Sequence, residues 1–283
     1  MKKLFLLFCT MAVGMVSLAQ DALNIMSFNI RYNNPEDSLN AWPHRIDKVS
    51  SQILFHEAHI VGVQEALHSQ MQDLDRALLK YKYVGVGRED GKEKGEYSAI
   101  FYDTIRLQVL QTQTFWLSET PQVAGSKGWD AALSRIVTWA KFRDKKTKKE
   151  FYLFNTHFDH RGQVARTESS KLLLKYANQI AGSIPYIVTG DFNANPNQEP
   201  IQLLVNPKDP LHLIDTKAIS ASPHYGPSGT FNGFQSKETG DLPIDHIFIK
   251  NAVKVLQHAT LSETWAGRFS SDHFPVLARV VVQ

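Results

Sequence analysis

The sequence predicts one layered α/β domain built on mixed β-sheets. Segments with the two-residue periodicity of strands alternate with segments spaced like amphipathic helices, and pairs of neighbouring strands are inserted between them. This alternation is typical of sheets covered by helices, whereas the inserted strand pairs argue against a purely parallel sheet. No Gly/Ser-rich or Pro-rich linker divides residues 20–283, so we expect a single domain there.

The first 19 residues form a predicted signal peptide. Lys2 and Lys3 precede a mostly apolar run, which ends at Ser17-Leu18-Ala19 with small residues at the two positions that signal peptidase reads. We therefore expect cleavage after Ala19, a secreted or periplasmic protein, and no stable membrane insertion. The mature chain would contain no cysteine, because Cys9 is the only one, and would need neither disulfides nor a reducing compartment.

The charge of the mature chain argues against one class of function. Removal of Lys2 and Lys3 leaves 31 less two Lys+Arg against 28 Asp+Glu, a net charge of +1. A near-neutral chain has no general attraction for polyanions, so a dedicated non-specific nucleic-acid binder is disfavoured.

The first half of the chain predicts five strands and two helices. The strands are expected at residues 23–30, 60–63, 81–86, 97–102 and 107–115, and the helices at residues 43–57 and around residues 71–79. Residues 118–134 are polar and irregular, and a long structureless segment in a compact domain is usually functional.

The second half continues the pattern. Strands are expected at residues 136–142, 151–154, 187–190, 243–249, 253–259 and 276–282, and helices at residues 164–180 and 200–205. The basic run at residues 145–149 is interpreted as a solvated hairpin tip in preference to a phosphate-binding patch.

Polar residues that can bind a metal ion follow these strands where they end. Asp191 and Asn193 are two residues apart after a buried strand, so their side chains point the same way. An Asx-rich turn would explain that pair alone. The same position at a strand end is occupied by Asn29, Glu65, His157, Asp159, Asp245, Asp272 and His273. Because α/β folds place their chemistry at strand ends, we expect these residues to form one site.

The residue types indicate metal-assisted hydrolysis of a phosphate ester. The set is rich in oxygen donors and lacks cysteine, which suits Mg²⁺, with Mn²⁺ or Ca²⁺ as alternatives, better than zinc. The sequence contains no HExxH, P-loop or GxSxG motif, and no serine lies on a nucleophile elbow. A cation would polarise the phosphoryl oxygens, a carboxylate would activate water, and histidines would stabilise the developing charge.

Six motifs in order resemble those of the endonuclease/exonuclease/phosphatase superfamily. They are Ser27-Phe28-Asn29-Ile30-Arg31, Val63-Gln64-Glu65, Asn155-Thr156-His157-Phe158-Asp159, Gly190-Asp191-Phe192-Asn193, Ile244-Asp245-His246-Ile247 and Ser271-Asp272-His273. The resemblance covers essentially the whole mature chain. It implies a four-layer αββα sandwich, in which two mixed β-sheets pack face to face, flanked by helices, with the site at one end of the sheets.

The resemblance also implies a metal site. By matching position, Asn29 and Glu65 would hold the cation, with Glu65 as the principal ligand, and Asp272 would complete its surroundings. Arg31 stands two residues after the motif asparagine, where abasic-site endonucleases carry an acidic residue. A second cation is therefore not expected there, and Arg31 is predicted to contact the substrate.

The catalytic roles implied by the resemblance fall on five residues. Asp191 would orient or deprotonate the attacking water, and Asn193 would hold a phosphoryl oxygen. His157 and His273 would flank the scissile phosphate, and Asp245 would orient His273.

The remaining predicted contacts are less directly tied to the motifs. Glu96 resembles the acidic partner of the first histidine in the deoxyribonuclease I branch. Arg135 could hold phosphate through its bidentate geometry, and Trp116 and Trp265 could stack on a base or sugar. Structural ion pairs and core packing would explain the same residues, and core packing is favoured for Phe231.

The resulting hypothesis is a metal-dependent phosphoesterase that uses in-line water attack on a small or exposed substrate. Such a substrate would be a sugar phosphate, a lipid head group or a short nucleotide, and the enzyme is expected to be a monomer. The alternative is a nuclease, either an endonuclease or a 3′-to-5′ RNA exonuclease of the deadenylase-like branch. A non-catalytic binding protein on the same fold is a third reading, disfavoured because every core motif position is filled.

Overall fold

Two six-stranded mixed β-sheets packed face to face form the centre of the computed structural model. The structure describes residues 21–235 and 242–283, so the predicted signal peptide at residues 1–19 lies outside the described residues. No helix among the described residues combines the length and apolarity needed to cross a bilayer.

The first sheet contains the two ends of the described chain. Its strands are β1 (Leu23–Asn29), β2 (Ile60–Gln64), β3 (Tyr81–Val84), β4 (Ile100–Asp103), β11 (Val253–Thr260) and β12 (Val276–Val282). They lie in the order β11-β12-β1-β2-β4-β3. The central strands β1 and β2 are parallel, and the other pairs in this sheet are antiparallel.

The second sheet is built from the middle of the chain. Its strands are β5 (Leu107–Trp116), β6 (Ile136–Asp144), β7 (Glu150–His157), β8 (Tyr186–Asp191), β9 (Ile214–Asp215) and β10 (Asp245–Lys250). They lie in the order β5-β6-β7-β8-β10-β9, with β7 and β8 parallel and the other pairs antiparallel. Each sheet therefore has a parallel central pair between antiparallel neighbours, and the prediction of mixed sheets is confirmed.

Helices cover the outer face of each sheet. They are α1 (Ile46–Phe55), α2 (His68–Ala77), α3 (Gln163–Ala181), α4 (Glu199–Leu204) and α5 (Thr216–Ile219). Apolar side chains of α1 and α2 pack on the first sheet, and those of α3 and α4 pack on the second. A third apolar layer, rich in isoleucine and valine, fills the space between the sheets. The prediction of a four-layer αββα sandwich is confirmed.

Three local predictions were inaccurate. The strand predicted from residue 97 begins at Ile100, because Tyr97 instead forms isolated bridges with Ala66 and Gly87. The helix predicted from residue 43 begins at Ile46, after two short 3₁₀ segments. Strand β9 and helix α5 were not predicted, because elements of two and four residues are too short to show a period.

Candidate active site

The motif residues meet at one end of the sandwich. The parallel pairing of β1 with β2 brings Asn29 beside Gln64 and hence near Glu65, and that of β7 with β8 brings His157 beside Asp191. On the other side of β8, Asp191 pairs with Asp245 of the antiparallel strand β10. Both sheets thus contribute side chains to the same edge.

Backbone strain occurs at three positions of this edge. Arg31, Glu65 and Asn193 have φ values of 56°, 64° and 47°, in the left-handed region that residues with a side chain seldom adopt. Local hydrogen bonds hold two of them, since the Arg31 amide donates to Asn29 Oδ1 at 3.0 Å and the Asn193 amide to Asp191 Oδ1 at 2.9 Å. Such strain persists where surrounding structure fixes it and is often found at functional sites.

A cavity of about 690 Å³ opens between the ends of the sheets. Nine predicted site residues line it: Arg31, Glu65, Glu96, Arg135, His157, Asp191, Asn193, Asp272 and His273. Asn29 lies directly beneath, fully buried, and its amide nitrogen donates to Glu65 Oε1 at 3.0 Å and to Asp191 Oδ2 at 2.9 Å. The residues named above, which were predicted to form one site, therefore lie together around the same cavity.

Three of these residues could share a metal ion. One ligand atom each from Glu65, Asp191 and His273 lies within 4.8 Å of the other two. Burial and the neighbouring Asp245 raise the pKa of Asp191 to about 7, so a cation here would relieve an unfavourable crowding of carboxylates. The two carboxylates fit a divalent cation, whereas the imidazole could act as a ligand only in its neutral form.

Asp272, predicted to complete the cation's surroundings, lies at the edge of this group. Its Oδ2 is 3.8 Å from Nε of Arg31, whose guanidinium is anchored on Asp37 at 2.9 and 3.1 Å. Burial raises the pKa of Asp272, and the positive charge of Arg31 opposes that shift. Among the described residues, the group within ligand distance consists of Glu65, Asp191 and His273, and does not include Asp272.

His273 is held in its charged form. Burial opposes the charge, but the carboxylates of Asp245 and Asp191 raise the pKa of His273 well above its usual value. Nδ1 of His273 is 2.8 Å from Asp245 Oδ2, which leaves Nε2 directed toward Asp191, 3.8 Å from its Oδ2. Asp245 thus lies where the sequence predicted it, orienting the second histidine.

His157 is held neutral. Burial, Arg135 and Arg88 lower the pKa of His157 well below its usual value. The side-chain amide of Asn193 donates to Nε2 of His157 at 3.0 Å, which assigns the ring proton to Nδ1. The same amide nitrogen donates to the Phe158 carbonyl at 3.0 Å, so both its protons are engaged within the protein. Asn193 must release one of them to hold a phosphoryl oxygen as predicted.

Glu96 does not make the predicted hydrogen bond to His157. Its Oε2 is 4.0 Å from His157 Nδ1, and both its oxygens are bound by the guanidinium of Arg88 at 2.7 and 2.8 Å. Glu96 therefore lies beside the histidine but serves as the partner of Arg88, a residue that no sequence motif indicated.

Arg135 presents a free nitrogen at the cavity. Its Nε is 3.3 Å from Asp159 Oδ2 and its Nη2 is 3.0 Å from Nδ1 of His160. Nη1 is buried without a partner among the described residues. A substrate oxygen would satisfy it, so the structure brings Arg135 to the position that its predicted role requires.

The two predicted tryptophans are not at the cavity. Trp116 is buried in the protein, and its indole nitrogen donates to the Arg88 carbonyl at 2.7 Å. Trp265 lies in a separate surface depression beside Phe55 and His56. Neither side chain can stack on a substrate in the cavity, because the first is covered and the second is elsewhere.

An aromatic residue for which core packing was expected lines the cavity instead. Phe231 is 46% exposed, and its ring stands edge-on to that of His273 with 5.1 Å between centroids. Tyr32, Leu133, His160 and Ile244 also line the cavity and were not selected from the sequence. Tyr32, Leu133 and His160 lie on loops without periodicity, whereas Ile244 belongs to the predicted strand at residues 243–249 and to the motif that contains Asp245.

A buried arginine, also unselected, joins the loops that carry the site. Arg45 is fully buried and donates to the main-chain carbonyls of Ile30, Ser270 and Arg31 at 2.6, 2.8 and 3.2 Å. The loops after β1 and before β12 therefore share one side chain as their common hydrogen-bond donor.

Comparison with known proteins agrees with this geometry. A crystal structure of an endonuclease/exonuclease/phosphatase from Bacteroides vulgatus is similar, with 41% identity, a TM-score of 0.88, and coverage of 93% of this chain and 99% of that one. A mannosyl-6-phosphatase from Bacteroides thetaiotaomicron has 38% identity, a TM-score of 0.86, and coverage of 92% and 99%.

A more distant relative is nocturnin from Drosophila melanogaster. It is 27% identical over 209 residues, which cover 67% of this chain and 30% of nocturnin. The model of the endonuclease/exonuclease/phosphatase family matches residues 26–273, from within β1 to the histidine of the last motif. The chain belongs to the endonuclease/exonuclease/phosphatase family.

Proposed function

We propose that the protein is a divalent-metal-dependent phosphoesterase that hydrolyses a phosphomonoester of a small polar molecule, such as a sugar phosphate. The observation that carries the proposal is a single cavity with two crowded carboxylates, a charged and a neutral histidine, and an unpartnered arginine nitrogen. Members of the family are hydrolases that act on phosphate esters. The likeness to a mannosyl-6-phosphatase supports a small sugar phosphate in particular.

The acid and base roles follow from the environments of the side chains. Asp191, with a pKa of about 7, is suited to accept a proton from the attacking water at neutral pH. His273 is charged, and its free Nε2 can donate to a phosphoryl oxygen while Asp245 holds Nδ1. Asp191 can thus accept a proton while Asp245 keeps His273 protonated, and these are the properties of a base and an acid.

A cation would bind on Glu65, next to Asp191, and Asn29 donates a hydrogen bond to each of the two carboxylates. When bound, it supplies Lewis-acid polarisation of a phosphoryl oxygen and stabilises the leaving oxygen. We propose Mg²⁺, with Mn²⁺ and Ca²⁺ as the alternatives to be compared.

The opposite wall of the cavity binds and orients the rest of the substrate. Arg135 Nη1 offers an unshared donor for a phosphoryl oxygen, and Asp159 fixes its direction. Phe231 presents an exposed aromatic ring above His273, where the apolar face of a sugar ring could pack.

The test is a panel of phosphomonoesters and phosphodiesters assayed with Mg²⁺, Mn²⁺ and Ca²⁺, with a chelator control. Asp191→Ala should abolish hydrolysis without unfolding the protein. Normal turnover by folded Asp191→Ala in the presence of chelator would refute the mechanism, and no metal-dependent hydrolysis across the panel would favour a binding protein instead.

A nuclease is the second candidate, favoured by the family's endonuclease and exonuclease members and by the match to nocturnin. A salt titration separates the two. A long polyanion should lose affinity steeply as salt rises because its binding releases counterions, whereas a small monoester should not.

We further propose that the protein acts outside the cytoplasm, on the evidence of the predicted signal peptide at residues 1–19. Mass spectrometry of the N-terminus of the protein recovered from the periplasm or medium tests this. A processed chain that starts at Gln20 is expected, and an intact N-terminus on cytoplasmic protein would contradict it.

A further inference from the structure

Polar side chains lie buried between the two sheets, directly beneath the site. We call Ser27, Gln64, Asn155 and Thr189 the inter-sheet polar cluster, and all four are fully buried. Their surroundings are otherwise the apolar layer that packs one sheet on the other. Buried polar groups in an apolar interior are unfavourable unless hydrogen-bonded, so their presence in this layer requires an explanation.

Asn155 connects the two sheets through its hydrogen bonds with the first-sheet side, and the bond from Thr189 to Asn155 lies within the second sheet. Gln64 Nε2, on β2, donates to Asn155 Oδ1, on β7, at 2.7 Å. Asn155 Nδ2 donates in return to the main-chain carbonyls of Val63 and Ala99 in the first sheet, at 2.8 and 2.9 Å. Thr189 donates to Asn155 Oδ1 at 3.0 Å and thereby fixes which way the amide points.

The cluster also needs space that a side chain would otherwise fill. A Cβ atom at Gly62 would lie 2.3 Å from Thr189 Oγ1 and 2.5 Å from Asn155 Oδ1. Since real Cβ atoms essentially never approach that closely, the two sheets meet here at a distance that only glycine permits.

Each member of the cluster is one or two residues before a site residue on its own strand. Ser27 precedes Asn29, Gln64 precedes Glu65, Asn155 precedes His157 and Thr189 precedes Asp191. Residues two apart on a strand share a face, so Ser27, Asn155 and Thr189 form a layer immediately below the site. Gln64 is the last residue of β2, directly before Glu65. Apolar contacts resist sliding of one sheet on the other weakly, whereas directional hydrogen bonds fix one relative position.

We propose that the inter-sheet polar cluster holds the two halves of the active site in register, with Asn155, Gln64 and Thr189 as positioning residues. The site needs this because Glu65 extends from the first sheet and Asp191 from the second, and their carboxylates share one group of ligand atoms. A shift of about 1 Å between reacting groups can lower turnover about a hundredfold. The kinetic part of this inference rests on the proposed phosphoesterase function, but the metal-binding part does not.

A matched pair of variants tests the proposal. Thr189→Val and Thr156→Val each replace a fully buried threonine by its isostere, close to a site residue. The Thr156 hydroxyl, however, donates to the Ile136 carbonyl within the second sheet and makes no bond to the cluster. Thr189→Val should lower kcat about fivefold at unchanged KM and weaken Mn²⁺ binding by a similar factor. Thr156→Val should change neither kcat nor Mn²⁺ binding by more than about twofold. Its loss of unfolding free energy should be similar to that of Thr189→Val.

Two further variants complete the test. Thr189→Ser, which restores the hydroxyl, should recover kcat, and Asn155→Leu should lower kcat about a hundredfold in a protein that still folds. Mn²⁺ affinity is measured by calorimetry, which needs no substrate, so failure to find a substrate would not affect it. Equal losses in Thr189→Val and Thr156→Val, or unchanged Mn²⁺ affinity in Thr189→Val, would overturn the proposal, even if Asn155→Leu does not fold.

Discussion

At the scale of single residues, the two active-site histidines have opposite charge states for reasons found in their neighbours. His273 has the carboxylates of Asp245 and Asp191 beside it, whereas His157 is buried with Arg135 and Arg88 nearby. One fold therefore supplies both a charged donor and a neutral acceptor at the same cavity, which is what phosphoryl transfer to water requires.

The Asp245 carboxylate is predicted to control the second histidine. Asp245→Asn should lower kcat at least about a hundredfold, because the histidine loses both its orientation and the charge that keeps it protonated. The measurement is kcat and KM at pH 7, with Asp209→Asn, a half-buried turn carboxylate, as the control. Retention of more than about half of the wild-type kcat in Asp245→Asn would contradict the assigned role.

Individual residues also show which features of the site could be predicted from the sequence and which could not. Asp245 and Asp191 could be placed because they end strands, and a strand end has a fixed position in the sheet. Glu96 was also placed at the cavity, but its partner Arg88 was not identified, because no motif marks that arginine. Trp116 was predicted to contact the substrate and is buried, whereas Phe231 was expected in the core and is exposed at the cavity. The exposure of an aromatic ring depends on tertiary packing, which the sequence does not show.

At the scale of elements, strand periodicity predicted the framework and the strand ends predicted the site. Strands of eight to ten residues in the second sheet were found where alternation placed them, within three residues at each end. The backbone turns that direct Arg31, Glu65 and Asn193 into the cavity were not predicted from the sequence. Of these three residue types, only asparagine favours a positive φ.

A pair of histidines, His258 on β11 and His224 on the loop that precedes β10, should make the protein sensitive to acid. Nδ1 of His258 is 2.9 Å from Nδ1 of His224, and burial, reinforced by that neighbour, lowers the pKa of His258 to about 3. The unfolded chain, with an ordinary histidine pKa of about 6.5, takes up this proton first as the pH falls. Stability is therefore full above about pH 6.5 and declines as the pH falls below it.

The expected contribution is about 2 kcal/mol of unfolding free energy between pH 7 and pH 5. Urea unfolding at the two pH values measures it. His258→Gln should reduce the difference between the two pH values by about that amount, and an unchanged difference would mean that other groups cause the acid sensitivity.

At the scale of the whole molecule, the site spans the two sheets, so a metal ion held there should stabilise the whole domain. Saturation at about 100 times Kd contributes about 2.7 kcal/mol, which corresponds to a rise in Tm of about 5 to 10 °C for a domain of this size. Thermal unfolding with Mg²⁺ or Mn²⁺, against chelator, measures the shift.

Glu65→Gln should remove most of this metal-induced shift, since its carboxylate belongs to the group of ligand atoms. Asp90→Asn, in an exposed turn, should keep the full shift. An equal rise in Tm for Glu65→Gln and the wild type would place the stabilising metal somewhere other than the proposed site.

The buried side chain of Arg45 has a consequence for how the protein loses activity. Because one guanidinium binds the carbonyls of Ile30, Arg31 and Ser270, the segments that carry Asn29 and Asp272 cannot fray one at a time. They open together or not at all, as one cooperative unit in the sense of local unfolding. Thermal inactivation would then follow a single rate. A protease would cleave these two segments only in molecules in which both have opened.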